Sequence, residues 1–131
     1  MRLWLLGIGA LVVLLSGSPV LAHHFFPHDS DKPVTLIGSV TKFEWVNPHA
    51  FLYIDVKDRE TGTTTNWQIE LGNPFALTRR GWKVDFVKFG DVVRVEGFLY
   101  LANVNKAAAL EIQLPDGRKL FAGSHAEDPR P

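Results

Sequence analysis

Apolar and polar residues alternate along most of the chain after residue 33, and the alternation predicts strands. Residues 49–57, HAFLYIDVK, set Ala50, Leu52, Ile54 and Val56 against His49, Phe51, Tyr53 and Asp55, the period of two that gives each set one face of a strand. Residues 63–71, TTTNWQIEL, repeat the pattern, with Trp67, Ile69 and Leu71 inward and Asn66, Gln68 and Glu70 outward. The polar turn Asp58-Arg59-Glu60-Thr61-Gly62 joins the two as a hairpin. Matching their apolar faces places Phe51 opposite Glu70 and Tyr53 opposite Gln68, and sets His49 near Glu70 on the outer face.

Residues 34–45 predict a long first strand in which the inward set changes parity, from Leu36 and Val40 to Phe43 and Trp45, with Gly38 as the expected bulge or bend. Residues 92–99, opened by the turn Gly90-Asp91, alternate Val93 and Val95 with Arg94 and Glu96. A further alternating strand is expected over 108–114, and Pro115-Asp116-Gly117 turns it back into residues 118–121. Between the third and fourth strands, Asn73-Pro74 and Arg79-Arg80-Gly81 read as a short helix: Asn73 is the N-cap, Pro74 the first helical residue and Gly81 the terminator. Three strands, a short helix and two more strands define an all-β chain with the order of an OB-like five-stranded antiparallel barrel. A β-sandwich is the alternative. Trp45, Trp67 and Trp82 are assigned to the core, residues 34–123 to the barrel domain, and the polar, proline-containing residues 124–131 to a disordered tail that includes His125.

The first twenty-two residues break this pattern. Arg2 precedes an apolar run from Leu3 to Leu15, followed by Ser16-Gly17-Ser18-Pro19 and Val20-Leu21-Ala22, the layout of a secretory signal peptide cleaved after Ala22. A membrane anchor is disfavoured because a spanning helix needs about 20 continuous apolar residues. The remaining chain is the size of one domain and is expected to be periplasmic or secreted, off the membrane once the signal is removed. With no cysteine in the sequence, it folds without disulfides.

Lys and Arg balance Asp and Glu at 14 each, so no basic field for nucleic acid arises. No phosphate loop, nucleophile elbow or cysteine nucleophile is present, which leaves catalysis with the least support.

Residues 23–33 form a His-rich arm. Cleavage after Ala22 makes His23 the N-terminus, where its α-amino group and imidazole Nδ1 can close a chelate ring on a metal, the two-nitrogen half of a histidine brace. His24 offers a competing chelate through the same amine. Both suit Cu(II), which binds nitrogen sites most strongly among divalent first-row metals. His28 or His49 can supply a further ligand, and Glu70 can bind the metal or orient His49. The expected cofactor is therefore copper, and the expected partner a metal ion or small ligand. The other reading is a metal-free module in which Phe51, Tyr53, Gln68 and Glu70 bind a saccharide, a peptide or a periplasmic protein on the face OB folds use for ligands.

The segments Ala22-His23-His24, Asn47-Pro48-His49-Ala50, Glu70-Leu71-Gly72, Arg80-Gly81-Trp82 and Gly90-Asp91 resemble a family of small exported bacterial proteins of unknown function. Phe25 stands where that pattern has serine. The resemblance implies export and a single domain, and brings no activity with it.

Overall fold

The computed structural model describes residues 28–100 and 104–123, with side-chain surroundings from residue 32 onward. Among the described residues there are six strands, β1 (His28–Glu44), β2 (Phe51–Lys57), β3 (Thr64–Glu70), β4 (Val92–Tyr100), β5 (Lys106–Gln113) and β6 (Lys119–Phe121), and one helix, α1 (Pro74–Arg79). The sheet order is β3-β2-β1-β4-β5-β6, and β3 also pairs with β5. That extra pairing closes β1, β2, β3, β5 and β4 into a ring, the OB-like barrel expected from the element order. Its closing pair is parallel, whereas all other pairs are antiparallel.

The parity change in β1 has a local cause. Val40 pairs with Ile54 and Lys42 with Tyr53, leaving Thr41 as the extra residue, and one inserted residue moves every later side chain to the other face. Leu36 and Val40 are therefore buried, while Phe43 and Trp45 pack against the core from the other parity. The bulge falls at Thr41 and not at Gly38. Gly38 is needed for close approach instead, because a Cβ there would lie 2.6 Å from the Asp55 carbonyl oxygen.

β1 also begins earlier than its hydrophobic pattern does. His28 pairs with Tyr100, the register then shifts, and Pro33 pairs with Phe98. The polar stretch Asp29 to Lys32 gives no alternation to read, because backbone pairing with β4 needs none. A second shift, between Glu96 and Gly97, leaves Leu110 as the extra residue of β5. This breaks the alternation expected there, and Ala107, Ala108 and Ala109 are all buried.

The inward residues Leu52, Ile54, Ile69, Leu71, Val93, Val95 and Ile112 fill the barrel, each at most 2% exposed. In α1, Asn73 accepts hydrogen bonds from the N–H groups of Phe75 and Ala76, satisfying two otherwise unpaired donors of the first turn. Gly81 ends the helix region at φ 96°, a conformation that favours glycine. Leu77 and Trp82 carry this segment into the core. Trp45 and Trp67 pack on it while partly buried.

At the β2–β3 turn the Asp58 carboxylate accepts the N–H groups of Glu60 at 2.7 Å and Thr61 at 3.0 Å. These bonds, Thr61's first, hold its pKa below the ordinary carboxylate range. A lowered folded pKa stabilises the turn above the unfolded pKa of about 3.9, and the contribution is lost as pH falls through the folded value. Amide exchange at Glu60 and Thr61 should accordingly quicken in acid relative to Asp58→Ala, in which no such pH step remains.

Candidate functional site

The outer face of β2 and β3 carries a ladder of polar pairs set by the hairpin register. Phe51 pairs with Glu70, Tyr53 with Gln68 and Asp55 with Asn66, in keeping with the matched apolar faces. Asn66 Nδ2 donates to Asp55 Oδ1 at 2.8 Å, and Gln68 Nε2 donates to Tyr53 Oη at 3.1 Å. Lys42 Nζ stands 5.4 Å from the centre of the Tyr53 ring. It also pairs with Glu44, which raises its pKa through a hydrogen bond and by charge attraction. The middle of this face is thus tied together by its own side chains.

The end of the ladder differs. His49 lies just before β2, and its Nδ1 is 3.0 Å from the Leu71 carbonyl oxygen and 3.3 Å from Glu70 Oε1. Both neighbours are acceptors, so Nδ1 is the ring nitrogen that donates to them. The His49 and Glu70 side chains are only 18% and 11% exposed, and Phe51, Tyr53 and Gln68 beside them are also partly covered.

The backbone around it is fixed from three sides. Ala50 N–H donates to the Gly72 carbonyl, Leu71 N–H to the Ala50 carbonyl and Gly72 N–H to the Ala122 carbonyl. Asn73 Nδ2 adds bonds to Asn47 Oδ1 at 3.2 Å and to the Pro48 carbonyl at 3.3 Å, joining the helix cap to the turn that holds His49. The two Asn-Pro segments, which look like separate turn solutions in the sequence, are bound to each other here. Nothing in the sequence marks the Leu71 carbonyl as the second partner of His49, because a backbone acceptor leaves no compositional trace.

His49, Phe51, Tyr53, Gln68 and Glu70 are thus brought onto one face. His23 and His24 lie outside the described residues, as do residues 1–22 of the expected signal peptide and the tail. His28 is placed by its backbone at the start of β1, beside Tyr100. Among the described residues no group of three or more His, Cys, Asp or Glu side chains could hold a metal, so His49 and Glu70 form at most part of such a centre. Also among them, no helix is long and apolar enough to cross a membrane. An open groove of about 760 Å³ lies elsewhere, where β1 parts from β2, lined by Ile37, Lys57, Arg59 and Val92 among others. It meets β2 at the end away from His49.

Fold and site together define a small OB-like barrel with a sheltered histidine–carboxylate pair at the end of its second and third strands. The chain belongs to a family of unknown function, DUF6152, which it matches over residues 11–107. Among solved structures it is similar to the mitochondrial single-stranded DNA-binding protein Rim1 of S. cerevisiae. That likeness covers 63% of this chain and 92% of the other, at 20% identity and a TM-score of 0.49. No curated protein matches the chain.

Proposed function

We propose that the chain is an exported metal-binding protein, with copper the favoured metal, held by the processed N-terminal His23 and by His49. The observation that supports this most is the setting of His49. An imidazole whose Nδ1–H is directed at a carbonyl and a carboxylate has the outer partners that orient a metal-bound histidine and fix its tautomer. The α-amino group and Nδ1 of His23 would supply two further nitrogens, a donor set that suits the tetragonal preference of Cu(II).

The five residues 23–27 ahead of His28 span up to about 17 Å when extended, about the width of three to four inter-strand spacings. Export follows from the N-terminal segment and generates the ligand, because the amine exists only after cleavage behind Ala22.

The test uses protein exported through its own N-terminal segment, with the mature N-terminus read by mass spectrometry and Cu(II) affinity by chelator competition. His23→Ala, His49→Ala and a form with one extra residue before His23 should each bind more weakly. If all three bind as the wild type does, the metal reading fails, and the metal-free module that binds through Phe51, Tyr53, Gln68 and Glu70 replaces it.

A further inference from the structure

We propose that the connection from β3 to β4, which includes α1, is a lipid-binding surface that lays one end of the barrel on a bilayer of anionic phospholipid. β2 and β4 run antiparallel to β1, and β3 and β5 run parallel to each other and against β2 and β4. β1, β3 and β5 therefore finish, and β2 and β4 start, at the same end of the barrel. A chain that leaves β3 at Glu70 and enters β4 at Val92 stays at that end, where Leu77, Trp82 and Val87 join the core. The rest of the connection faces outward. Phe75, Val84 and Phe89 are 71%, 60% and 83% exposed, and no large apolar side chain among the described residues is more exposed than these three.

The same connection carries a charge excess. Residues 71–91 hold Arg79, Arg80, Lys83 and Lys88 against Asp85 and Asp91, a net charge of +2 in a chain that is neutral as a whole. The Asp91 carboxylate is turned to the backbone, where it accepts the Lys88 N–H at 2.9 Å. Cations and rings are interleaved: the Arg79 guanidinium carbon stands 5.8 Å from the centre of the Phe75 ring, and Lys83 Nζ 6.0 Å from that of Phe86.

Exposed rings among cations fit the boundary of an anionic bilayer, where the rings enter the acyl region and Lys and Arg stay at headgroup level. At 83% exposure Phe89 projects from the surface and lines no recess. A fluid bilayer accepts such a side chain without a matching pocket, which a protein partner would have to supply. The processed chain is then a peripheral membrane protein, in place of one that stays off the membrane. Lipid binding of this kind requires no copper.

The experiment sediments the full processed chain with vesicles of phosphatidylglycerol and phosphatidylcholine in equal parts, and with vesicles of phosphatidylcholine alone, in the presence of a metal chelator. Binding should be at least about tenfold stronger to the anionic vesicles and should fall as salt is added. Lys83→Gln combined with Lys88→Gln should weaken it by about 25-fold, at about fivefold for each cation removed. Phe89→Ser should weaken it by at least about tenfold, and Phe89→Trp should bind with a larger blue shift of tryptophan emission than the wild type shows. These positions are exposed, so the urea midpoint should stay at the wild-type value. A wild-type chain that neither vesicle sediments overturns the proposal. Equal binding to both vesicles overturns it too, because the cations then play no part, and so does binding that Phe89→Ser leaves unchanged. If vesicles are ignored while the chain forms a dimer that Phe89→Ser abolishes, the surface belongs to a second copy and the lipid assignment is overturned.

Discussion

Trp82→Ala should remove about 3–5 kcal/mol of folding stability, the range for truncating a buried aromatic residue. Trp82 is 1% exposed and is among the largest fully buried side chains of the domain. Its indole sits 6.4 Å from the Phe43 ring between centroids, and its Nε1–H donates to the Phe121 carbonyl at 2.8 Å. One residue thus joins the segment after α1, the late half of β1 and β6. Domains of this kind have about 5–15 kcal/mol in total, so the loss is a large share of the whole. The melting temperature should fall by at least about 12 °C, taking about 4 °C per kcal/mol, with a matching drop in the urea midpoint. Trp82→Phe separates the two contributions. It keeps most of the apolar volume and deletes the hydrogen bond, a change of about 0.5–1.5 kcal/mol plus a smaller packing loss. If Trp82→Ala unfolds at the wild-type midpoint, Trp82 does not join these elements in the way described.

How much of this was readable from residues alone follows from where side chains decide structure and where backbone does. The hairpin register was readable because the alternating apolar faces fix its parity and the short polar turn 58–62 limits its shift, which together give Phe51 with Glu70 and Tyr53 with Gln68. The helix was readable from its punctuation, Asn73-Pro74 before and Gly81 after. The bulge was legible only as a parity change. Its place at Thr41 depends on how β1 divides its bonds between β2 and the turn before β4, where Val40 N–H donates to the Asp91 carbonyl and Gly90 N–H to the Val40 carbonyl. Backbone pairing also accounts for the early start of β1 at His28 and for the parallel closure through Gln68, Ile69 and Glu70. The site divides in the same way. The meeting of His49 and Glu70 was legible from the register. The Leu71 carbonyl at 3.0 Å and the return of Ala122 to Gly72 were not, because they come from main-chain groups brought in from distant parts of the fold.

Glu70→Gln should weaken Cu(II) binding by about 10–100-fold while leaving the fold intact. Glu70 Oε1, 3.3 Å from His49 Nδ1, places a negative charge beside the ring N–H, which makes the opposite nitrogen a better donor to a cation. Glutamine keeps the size and an acceptor oxygen and removes only the charge, so the change reads the electrostatic part of the pair. His49→Ala, which deletes the donor nitrogen itself, should lose more. Because the pair lies on the outer face of the barrel, neither substitution opens a cavity among Leu52, Ile54 and Ile69, and the urea midpoint should stay close to that of the wild type. Gln68→Ala, on the neighbouring rung, breaks the bond to Tyr53 Oη and should leave copper affinity unchanged. Binding also requires an unprotonated amine and a neutral imidazole, so affinity should fall as pH drops, in the wild type and in Glu70→Gln alike. Wild-type affinity in Glu70→Gln would remove the carboxylate from the centre. Equal losses in Glu70→Gln and Gln68→Ala would instead mark the whole β2–β3 face as the binding surface, with no special place for the His49–Glu70 pair.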